Sequence, residues 1–442
     1  MKKLVALAMS LIMLLGMVSF GVADELPDHP VEIEMWTDFT IDEAILQKAI
    51  DGFNAAYADK GYTIKMNKFA GSQRTALVNA AIESNTLPPL FLSAWFTTAD
   101  YVHQGLVEDI TDIIAPVRED LYDAAYDACV INDKAYMLGL YQSFFGLVWN
   151  ADLFRAAGLE KFIPEDPNEW AVWTMGEFEG EILPALAKHF EGTEKYPIGL
   201  FAGDNQADTF MLNWLSSMGG KMWLDGRSNA GADQNVIAAL EKIMGWTAAG
   251  LTNSDVITRS GTAVAPDFQN QQSAICSGQV ANYTKYLGQQ AAGTMDNFDL
   301  RMACVPAVID GKDDYILANY VYGASVINNG KADEMAVAKE FLRWLLTSKE
   351  DLAAINMNAI PCFKSVTAEQ GTPFITAATQ RADHIWDFTG AVPGYVGTRN
   401  YLFPALQAAF SGDKTPAEAL ASYSESANEV IDEYTQYSLV LN

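Results

Sequence analysis

Few residues of this chain are spaced as a catalyst or a metal site requires. The 442 residues include four histidines, and no two lie close enough in sequence to share a helix face. The motifs HExxH, GxSxG, GxGxxG and GxxxxGK[ST] do not occur. The 56 Asp and Glu residues still allow a facing carboxylate pair, so a secreted polysaccharide-active enzyme stays open as an alternative. We therefore expect no catalytic residue, no metal site and no cofactor.

Aromatic side chains offer a different chemistry, because Phe, Trp and Tyr make up 11% of the chain. Trp36 and Trp95 stand where apolar runs give way to polar residues, and Asp38 and Asp100 follow them closely. Sugar rings stack their C–H faces on aromatic faces, while their hydroxyls need polar partners. For most aromatic residues core packing is the simpler interpretation, but the positions of Trp36 and Trp95 favour a sugar site.

The first third of the chain alternates short apolar runs with amphipathic segments. The pattern predicts strands at 31–36, 62–66 and 90–92, and helices at 41–57 and 75–84. Strand, helix, strand, helix, strand in about 60 residues is typical of a wound parallel sheet with right-handed crossovers. We therefore predict an α/β fold.

A second series of elements begins near residue 144. The predicted strands are 144–149, 273–276, 302–305 and 320–327, and the predicted helices are 151–158, 177–190, 235–249, 332–346 and 417–434. The sequence has no internal repeat and no long linker. Compact units in this chain are therefore expected to be joined by short strand crossings.

The amino-acid composition indicates which classes of binding partner this chain can have. The formal net charge is −28, which repels nucleic acid and anionic lipid surfaces at long range. After residue 23 no run of 18 apolar residues occurs, so we expect a soluble mature protein. A small-molecule ligand fits this composition better than nucleic acid does.

The first 23 residues predict export. Lys2 and Lys3 precede an apolar stretch that ends in small residues at Ala23, as in a secretory signal peptide. The apolar stretch is shorter than the roughly 20 residues that span a bilayer. No cysteine stands near the expected cleavage site, so no lipid anchor is expected and the periplasm is the predicted compartment.

Four cysteines follow the signal peptide: Cys129, Cys276, Cys304 and Cys362. An exported protein can form disulfides, and four cysteines allow three complete pairings. Cys276 and Cys304 both lie in apolar, strand-like runs and could be neighbours. Four buried free thiols are an equal alternative, so the sequence leaves the disulfide state open.

Several short motifs, in a fixed order, resemble family 1 extracellular solute-binding proteins, the sugar-capturing components of ABC importers. The similar segments are 33–36 (IEMW), 100–109 (DYVHQGLVED), 134–140 (KAYMLGL), 147–154 (LVWNADLF), 274–278 (AICSG), 338–345 (AKEFLRWL) and 415–420 (TPAEAL). Each is weak alone, but together they cover the chain from about residue 31 to its C-terminus.

The resemblance implies a two-lobed, type II periplasmic-binding-protein fold, with hinge-linked lobes that close on a ligand in the cleft. Carried onto this chain, the N-terminal lobe is 24–141 plus 322–365, and the C-terminal lobe is 142–321 plus 366–442. The candidate ligand-binding residues are Trp36, Asp38, Ser93, Trp95, Tyr141, Ser143, Trp214, Tyr283, Tyr322, Tyr395 and Arg399. The expected partners are a small-molecule ligand, a sugar above all, and a membrane permease, and the protein is expected to be a monomer.

Two departures from the family pattern concern the ligand. The chain has Leu87-Pro88-Pro89 where Pro-Asp is usual, and it lacks the usual Gly-x-Trp after residue 278, where Tyr283 is the nearest replacement. An anionic or peptide ligand is therefore an alternative to a sugar, and Arg74 and Arg399 would favour an anion. A surface adhesion module is a further class, which the absent repeats disfavour.

Overall fold

The computed structural model describes residues 25–38, 43–69, 73–348, 359–370, 372–386, 388–389 and 391–440, so the predicted signal peptide lies outside the described residues. The strands are β1 (Val31–Thr37), β2 (Tyr62–Lys68), β3 (Leu90–Ala94), β4 (Val130–Ile131), β5 (Lys134–Ala135), β6 (Leu138–Asn150), β7 (Tyr196–Gly199), β8 (Trp223–Leu224), β9 (Arg227–Ser228), β10 (Ser273–Gln279), β11 (Leu300–Ala303), β12 (Val305–Ile309), β13 (Lys312–Val326), β14 (Ile360–Pro361) and β15 (Ile385–Trp386).

The helices lie between and beside these strands. They are α1 (Glu43–Ala56), α2 (Arg74–Ser84), α3 (Trp95–His103), α4 (Thr111–Ile114), α5 (Asp123–Asp127), α6 (Ala151–Ala156), α7 (Met175–Glu177), α8 (Leu183–His189), α9 (Ala207–Ser216), α10 (Gln234–Ala248), α11 (Gly261–Gln269), α12 (Val280–Ala291), α13 (Ala332–Thr347), α14 (Lys364–Gln370), α15 (Pro373–Thr379), α16 (Tyr395–Phe410) and α17 (Pro416–Val440). A π-helical turn, Phe178–Ile182, joins α7 to α8.

The main sheet has the strand order β2-β1-β3-β13-β6-β10-β7. β1 pairs in parallel with β2 and with β3, as predicted for a wound unit. α1 follows β1 and buries Leu46, Ala49, Ile50 and Phe53 on one face, which confirms the predicted amphipathic helix. The α/β class predicted from the alternating pattern is confirmed.

Two large hydrophobic clusters form the interior. The N-terminal cluster takes its residues from 31–141 and 321–366, and the C-terminal cluster takes its residues from 144–320, 360 and 374–431. Each cluster packs helices against its own end of the sheet. The predicted lobe boundaries stay a prediction, and this division of the core is the observation that supports them.

Three chain segments cross between the clusters side by side. β6 and β13 pair antiparallel from Ala318 opposite Phe145 to Ala324 opposite Leu138, and β14 pairs with β6 on its other edge. Asn319 Nδ2 donates to Gln142 Oε1 at 2.9 Å. Gln142 Nε2 in turn donates to the carbonyl of Pro361 at 3.4 Å. These amides tie the three crossings together, and we call 141–143, 319–323 and 360–361 the hinge strands.

The cysteines show which of the two predicted alternatives the fold adopts. Cys129, Cys276, Cys304 and Cys362 are all buried and free. Burial raises the pKa of the Cys276 thiol to about 12, and it raises that of Cys304 to about 12 as well. Within the described residues, no helix is both long enough and apolar enough to span a bilayer.

Candidate functional site

Four side chains share one face of the hinge strands. Tyr322 lies opposite Tyr141, and Tyr320 lies opposite Ser143, in the β13–β6 pairing. Because side chains alternate along a strand, positions 320 and 322 face the same way, as do 141 and 143. The rings of Tyr141 and Tyr322 stack with centroids 4.8 Å apart and an interplanar angle of 14°. We call Tyr141, Ser143, Tyr320 and Tyr322 the hinge face.

An ion pair borders the hinge face on the N-terminal side. Arg74, the first residue of α2, pairs with Asp38, which directly follows β1. Only 14% of the Arg74 side chain and 5% of the Asp38 side chain are exposed. Burial lowers the pKa of Arg74, and the nearby charge of Arg399 acts in the same direction. Arg74 therefore lies within the electrostatic range of Arg399, which belongs to the C-terminal side.

A second ion pair lies on the C-terminal side. Arg399 of α16 donates through Nε and Nη2 to the two carboxylate oxygens of Asp208 on α9, at 2.6 and 3.0 Å. Tyr395 donates its hydroxyl to Asp208 Oδ2 at 2.7 Å. The neighbouring Thr209 shares a hydrogen bond of 2.5 Å with Tyr320 of the hinge face. This network links α9, α16 and β13 into one polar wall.

The arginines of both ion pairs act on the charge state of Tyr322. Burial raises the pKa of Tyr322 to about 12, against the opposing charges of both Arg74 and Arg399. Arg399 also lies over the ring of Phe96, at 5.4 Å from its centroid, so a residue of α16 contacts a residue of α3. The charges of two arginines, one from each side, therefore act on the hinge face.

Each of these arginines is neutralised by an aspartate from its own side. Arg74 pairs with Asp38, and Arg399 pairs with Asp208, of which only 2% of the side chain is exposed. Arg399 binds its carboxylate bidentately and Arg74 pairs with Asp38, so both buried guanidinium charges are matched and have little to offer an anionic ligand. The arrangement suits a neutral ligand that presents hydroxyl groups and an apolar face.

A cavity of about 260 Å³ lies beside the open edge of β13, between the end of β3 and the start of β15. Its aromatic lining is Trp95 and Phe96 from α3, Tyr320 from the hinge face, and Trp386 and Phe388 from the C-terminal side. Trp386 is fixed by a hydrogen bond of 2.8 Å from its Nε1 to Asn213 Oδ1. Residues from both clusters thus enclose one cavity at the hinge.

The structure brings six of the eleven predicted site residues together. They are Asp38, Tyr141, Ser143, Tyr322, Tyr395 and Arg399. Ser143 donates to Gln279 Oε1 at 2.7 Å, which connects the hinge face to the end of β10. Trp95 lines the hinge cavity instead, with 6% of its surface exposed. Ser93 is buried and shares a hydrogen bond of 2.9 Å with Thr97.

Three predicted aromatic residues lie elsewhere. Trp214 is fully buried in the C-terminal cluster, stacked on Phe178 at 5.5 Å. Tyr283 stacks on Phe374 at 4.2 Å, and burial raises its pKa. Each ring packs against core neighbours and neither belongs to the hinge face, so Trp214 and Tyr283 stay predictions that the site's geometry does not support.

Trp36 also packs within the protein. Its ring stacks on Phe91 at 5.8 Å, and its Nε1 donates to Glu34 at 3.0 Å. This position places Trp36 in a small third cluster that includes Val78 and Ile327. The strand end next to Trp36 contributes Asp38 to the site rather than the indole ring.

Sequence reasoning missed Asp208, Thr209 and Tyr320. Asp208 and Thr209 begin an apolar helix, where acidic and hydroxyl residues are ordinary, so their types carried no signal. Tyr320 stood at the start of a predicted strand, and its alternation with Tyr322 was the available signal. Among the described residues, no group of three or more His, Cys, Asp and Glu could hold a metal ion.

The family model for bacterial extracellular solute-binding proteins matches residues 36–351 of this chain. That span is more than half of the 442 residues. A comparison with curated protein sequences found no match.

Solved structures share the fold over nearly the whole chain. An ABC substrate-binding protein of Listeria monocytogenes in complex with cycloalternan has a TM-score of 0.70 at 17% identity, covering 91% of this chain and 99% of that one. The sugar-binding protein MalE of Xanthomonas citri has a TM-score of 0.72 at 12% identity, and the match covers 91% of this chain and 98% of that one. A Thermotoga lettingae ABC transporter solute-binding protein bound to α-D-tagatose has a TM-score of 0.69 at 14% identity, and the match covers 90% of this chain and 99% of that one. At these identities the similarity establishes the two-lobed fold.

Proposed function

Because the chain belongs to the family of bacterial extracellular solute-binding proteins, we propose that it captures a neutral carbohydrate at the hinge face and delivers it to the permease of an ABC importer. One observation carries the choice of ligand: the stacked tyrosines lie within the electrostatic range of two arginines whose charges are already matched by aspartates. Cycloalternan and α-D-tagatose, the ligands of two structural neighbours, are carbohydrates and support the proposal.

Binding proceeds by hinge closure. The ligand contacts groups from both sides of the hinge strands, so it stabilises the conformer in which those sides are close. Tyrosine faces stack on the sugar ring, while hydroxyl and amide groups such as Ser143 and Gln279 lie within reach of its hydroxyls. The function is transport from outside the cytoplasmic membrane, and we place the protein in the periplasm as a monomer.

The proposed receptor breaks no bond. The buried carboxylate of Asp208 is occupied by Arg399 and Tyr395, so it is not free to act as an acid or a nucleophile. We therefore disfavour the secreted enzyme considered above. Incubation with glycans should release no product, and product that increases with protein concentration would favour the enzyme.

Calorimetric titration tests the ligand class. The panel contains neutral mono-, di- and oligosaccharides, ribitol, and matched sugar acids such as glucuronate. We expect heat from at least one neutral member and none from the acids. Binding of acids alone would show that the arginines retain an available charge, and no binding at all would contradict the carbohydrate proposal.

A tyrosine series tests the site. Tyr322→Ala removes one ring of the stacked pair and should weaken binding of the neutral sugar about tenfold, from lost stacking and apolar contact. Tyr322→Phe keeps the ring and should keep most of the affinity. Tyr401→Ala removes an exposed ring elsewhere on α16, 44% exposed, and serves as the control. Equal affinities for Tyr322→Ala and Tyr401→Ala would place the ligand away from the hinge face.

A further inference from the structure

One face of α3 contacts the segment that leads into α16. Asp100 Oδ1 accepts a hydrogen bond of 2.9 Å from the backbone N–H of Gly394, and the amides of Tyr395 and Val396 also hydrogen-bond this carboxylate. His103 lies one turn further along α3, and the backbone of Ala391 acts on its pKa. Positions i and i+3 share a helix face, so both side chains are directed at the same segment, 391–396.

Segment 391–396 packs closely against α17. Gly394 has φ +74°, and a Cβ there would lie 2.7 Å from Cδ2 of Tyr434 on α17. A Cβ at Gly397 would likewise lie 2.8 Å from Cγ1 of Val430. Ala391 has φ +47°, which a residue with a side chain seldom adopts. The amides therefore face Asp100 in a fixed arrangement that needs glycine at position 394.

The contact joins the two clusters. Trp95 and Ala99 of α3 belong to the N-terminal cluster, whereas Val392 and Tyr395 belong to the C-terminal cluster. Asp100 is 4% exposed, so the contact excludes water. Any movement that separates the two sides at this point has to break hydrogen bonds of a buried carboxylate.

The charged and titratable groups around the contact come from several elements. They are Tyr101 and His103 on α3, Arg74 on α2, Tyr320 and Tyr322 on β13, Tyr395 and Arg399 on α16, and Tyr434 on α17. Arg74 is paired with Asp38, and Arg399 is paired with Asp208. The hydrogen bonds that act on the Asp100 carboxylate come from backbone amides, at the positive end of α16.

We propose that Asp100 and His103 form an interlobe latch, in which α3 holds segment 391–396 and so stabilises the conformer with the two lobes together. The latch rests on the hinge-closure mechanism proposed above. Asp100 and His103 act as positioning residues: they set how much of the protein is closed, and thereby the affinity, without contacting the ligand.

The latch makes closure depend on pH. Burial raises the pKa of Asp100 to about 7, although the amides act against this shift. When the lobes separate, the carboxyl becomes exposed and returns to its ordinary acidic pKa. The latched conformer therefore binds the proton more tightly, and protonation of Asp100 favours latching. This contribution to the stability of the latched conformer is complete below pH 4 and is lost as the pH rises through 7.

His103 acts with the opposite sign. Burial lowers its pKa in the latched conformer, so its contribution is present above its ordinary pKa and is lost as the pH falls below that value. Asp100 alone should change the ratio of latched to separated molecules about tenfold between pH 8 and pH 6. In wild type His103 reduces this change at the acidic end.

The test uses the ligand-free protein, so it is independent of whether a sugar binds. Spin labels at Glu83→Cys and Glu194→Cys, exposed positions on opposite sides of the hinge, report lobe separation by pulsed electron resonance. In wild type the short-distance population should increase as the pH falls from 8 to 6. In Asp100→Asn this increase should disappear and reverse below pH 6.5, and in His103→Gln it should become steeper. Asp51→Asn, on α1, is the matched control and should behave as wild type.

A second measurement does not depend on the labels. Hydrogen exchange of the amides of 394–396 should be faster in Asp100→Ala than in wild type, while exchange within β6 is unchanged. Two results would overturn the latch: a pH response in Asp100→Asn equal to that of wild type, or unchanged exchange at 394–396 in Asp100→Ala. Loss of sugar binding with an intact latch response would contradict the proposed function alone.

Discussion

At the scale of single residues, the site depends on charges that are buried and matched. Arg399 and Asp208 gain from mutual attraction and bidentate hydrogen bonding, but both lose hydration on burial. Such a pair contributes little net stability compared with an apolar pair of the same size. Removing only one member of the pair, however, leaves the other member buried without a counter-charge.

Asp208→Ala should therefore destabilise the protein strongly. It leaves Arg399 without a counter-charge and the hydroxyl of Tyr395 without its acceptor, and we expect a loss of about 3–5 kcal/mol in the free energy of unfolding. Urea unfolding followed by circular dichroism measures this loss. Asp432→Ala removes the acidic partner of Arg227 in an exposed ion pair and should change the midpoint little. Equal midpoints for the two variants would contradict the assignment.

The residue types of the site were only partly predictable. Tyr141, Ser143 and Arg399 were inferred from a family resemblance and Tyr322 and Tyr395 from aromatic type, and the fold brings all five together. Trp214 was inferred from aromatic type and local surroundings, and Tyr283 was inferred from these and as the replacement for a tryptophan of the family pattern. Those properties do not distinguish a ring in a cleft from a ring in a core, because the neighbours that cover a ring are distant in sequence.

At the scale of elements, the hinge strands decide what can move. β6 has 13 residues and β13 has 15, so each runs without a break from one cluster into the other. The sequence predicted only 144–149 and 320–327 as strands. Polar residues such as Gln142 and Asn319 interrupt the apolar pattern there, because the buried amides serve hydrogen bonds between the crossings rather than core packing.

Gly323 marks the tightest point of these crossings. The β13–β6 register shifts between Tyr322 and Gly323, and a Cβ at Gly323 would overlap the carbonyl oxygen of Leu138. Gly323→Ala should lower the free energy of unfolding by about 1–3 kcal/mol through overpacking.

Gly288→Ala is the matched control for this glycine. It lies within α12, and its Cβ would meet no atom within 4 Å, so the substitution should raise stability by about 0.5–1 kcal/mol. Thermal unfolding compares the two variants. Stabilisation by both substitutions would show that the crossing tolerates a side chain at position 323.

At the scale of the whole molecule, two clusters share one sheet, and family patterns predicted that arrangement better than they predicted the site. Alternating elements fix a wound sheet through local periodicity, whereas the meeting of α3, α9 and α16 depends on tertiary packing. The disulfide state was likewise undecidable from spacing, since it depends on which buried positions face each other.

The burial of all four cysteines predicts their reactivity. Because burial raises their thiol pKa values, few thiolates exist near neutral pH, and solvent does not reach the sulfurs. Iodoacetamide should leave the native mass unchanged, whereas four adducts should form after unfolding in guanidinium. Fewer than four adducts in non-reducing denaturant would indicate a disulfide.

The burial of the tryptophan rings also determines how the fluorescence of the protein responds to a solute. Trp149, Trp170 and Trp214 are enclosed in the C-terminal cluster, far from water, so their fluorescence should be blue-shifted and indifferent to the solute. Trp95 and Trp386 instead both line the hinge cavity, one from each half of the molecule. A solute that enters this cavity should therefore change the emission of these two rings, which makes them intrinsic reporters of the pivoting motion.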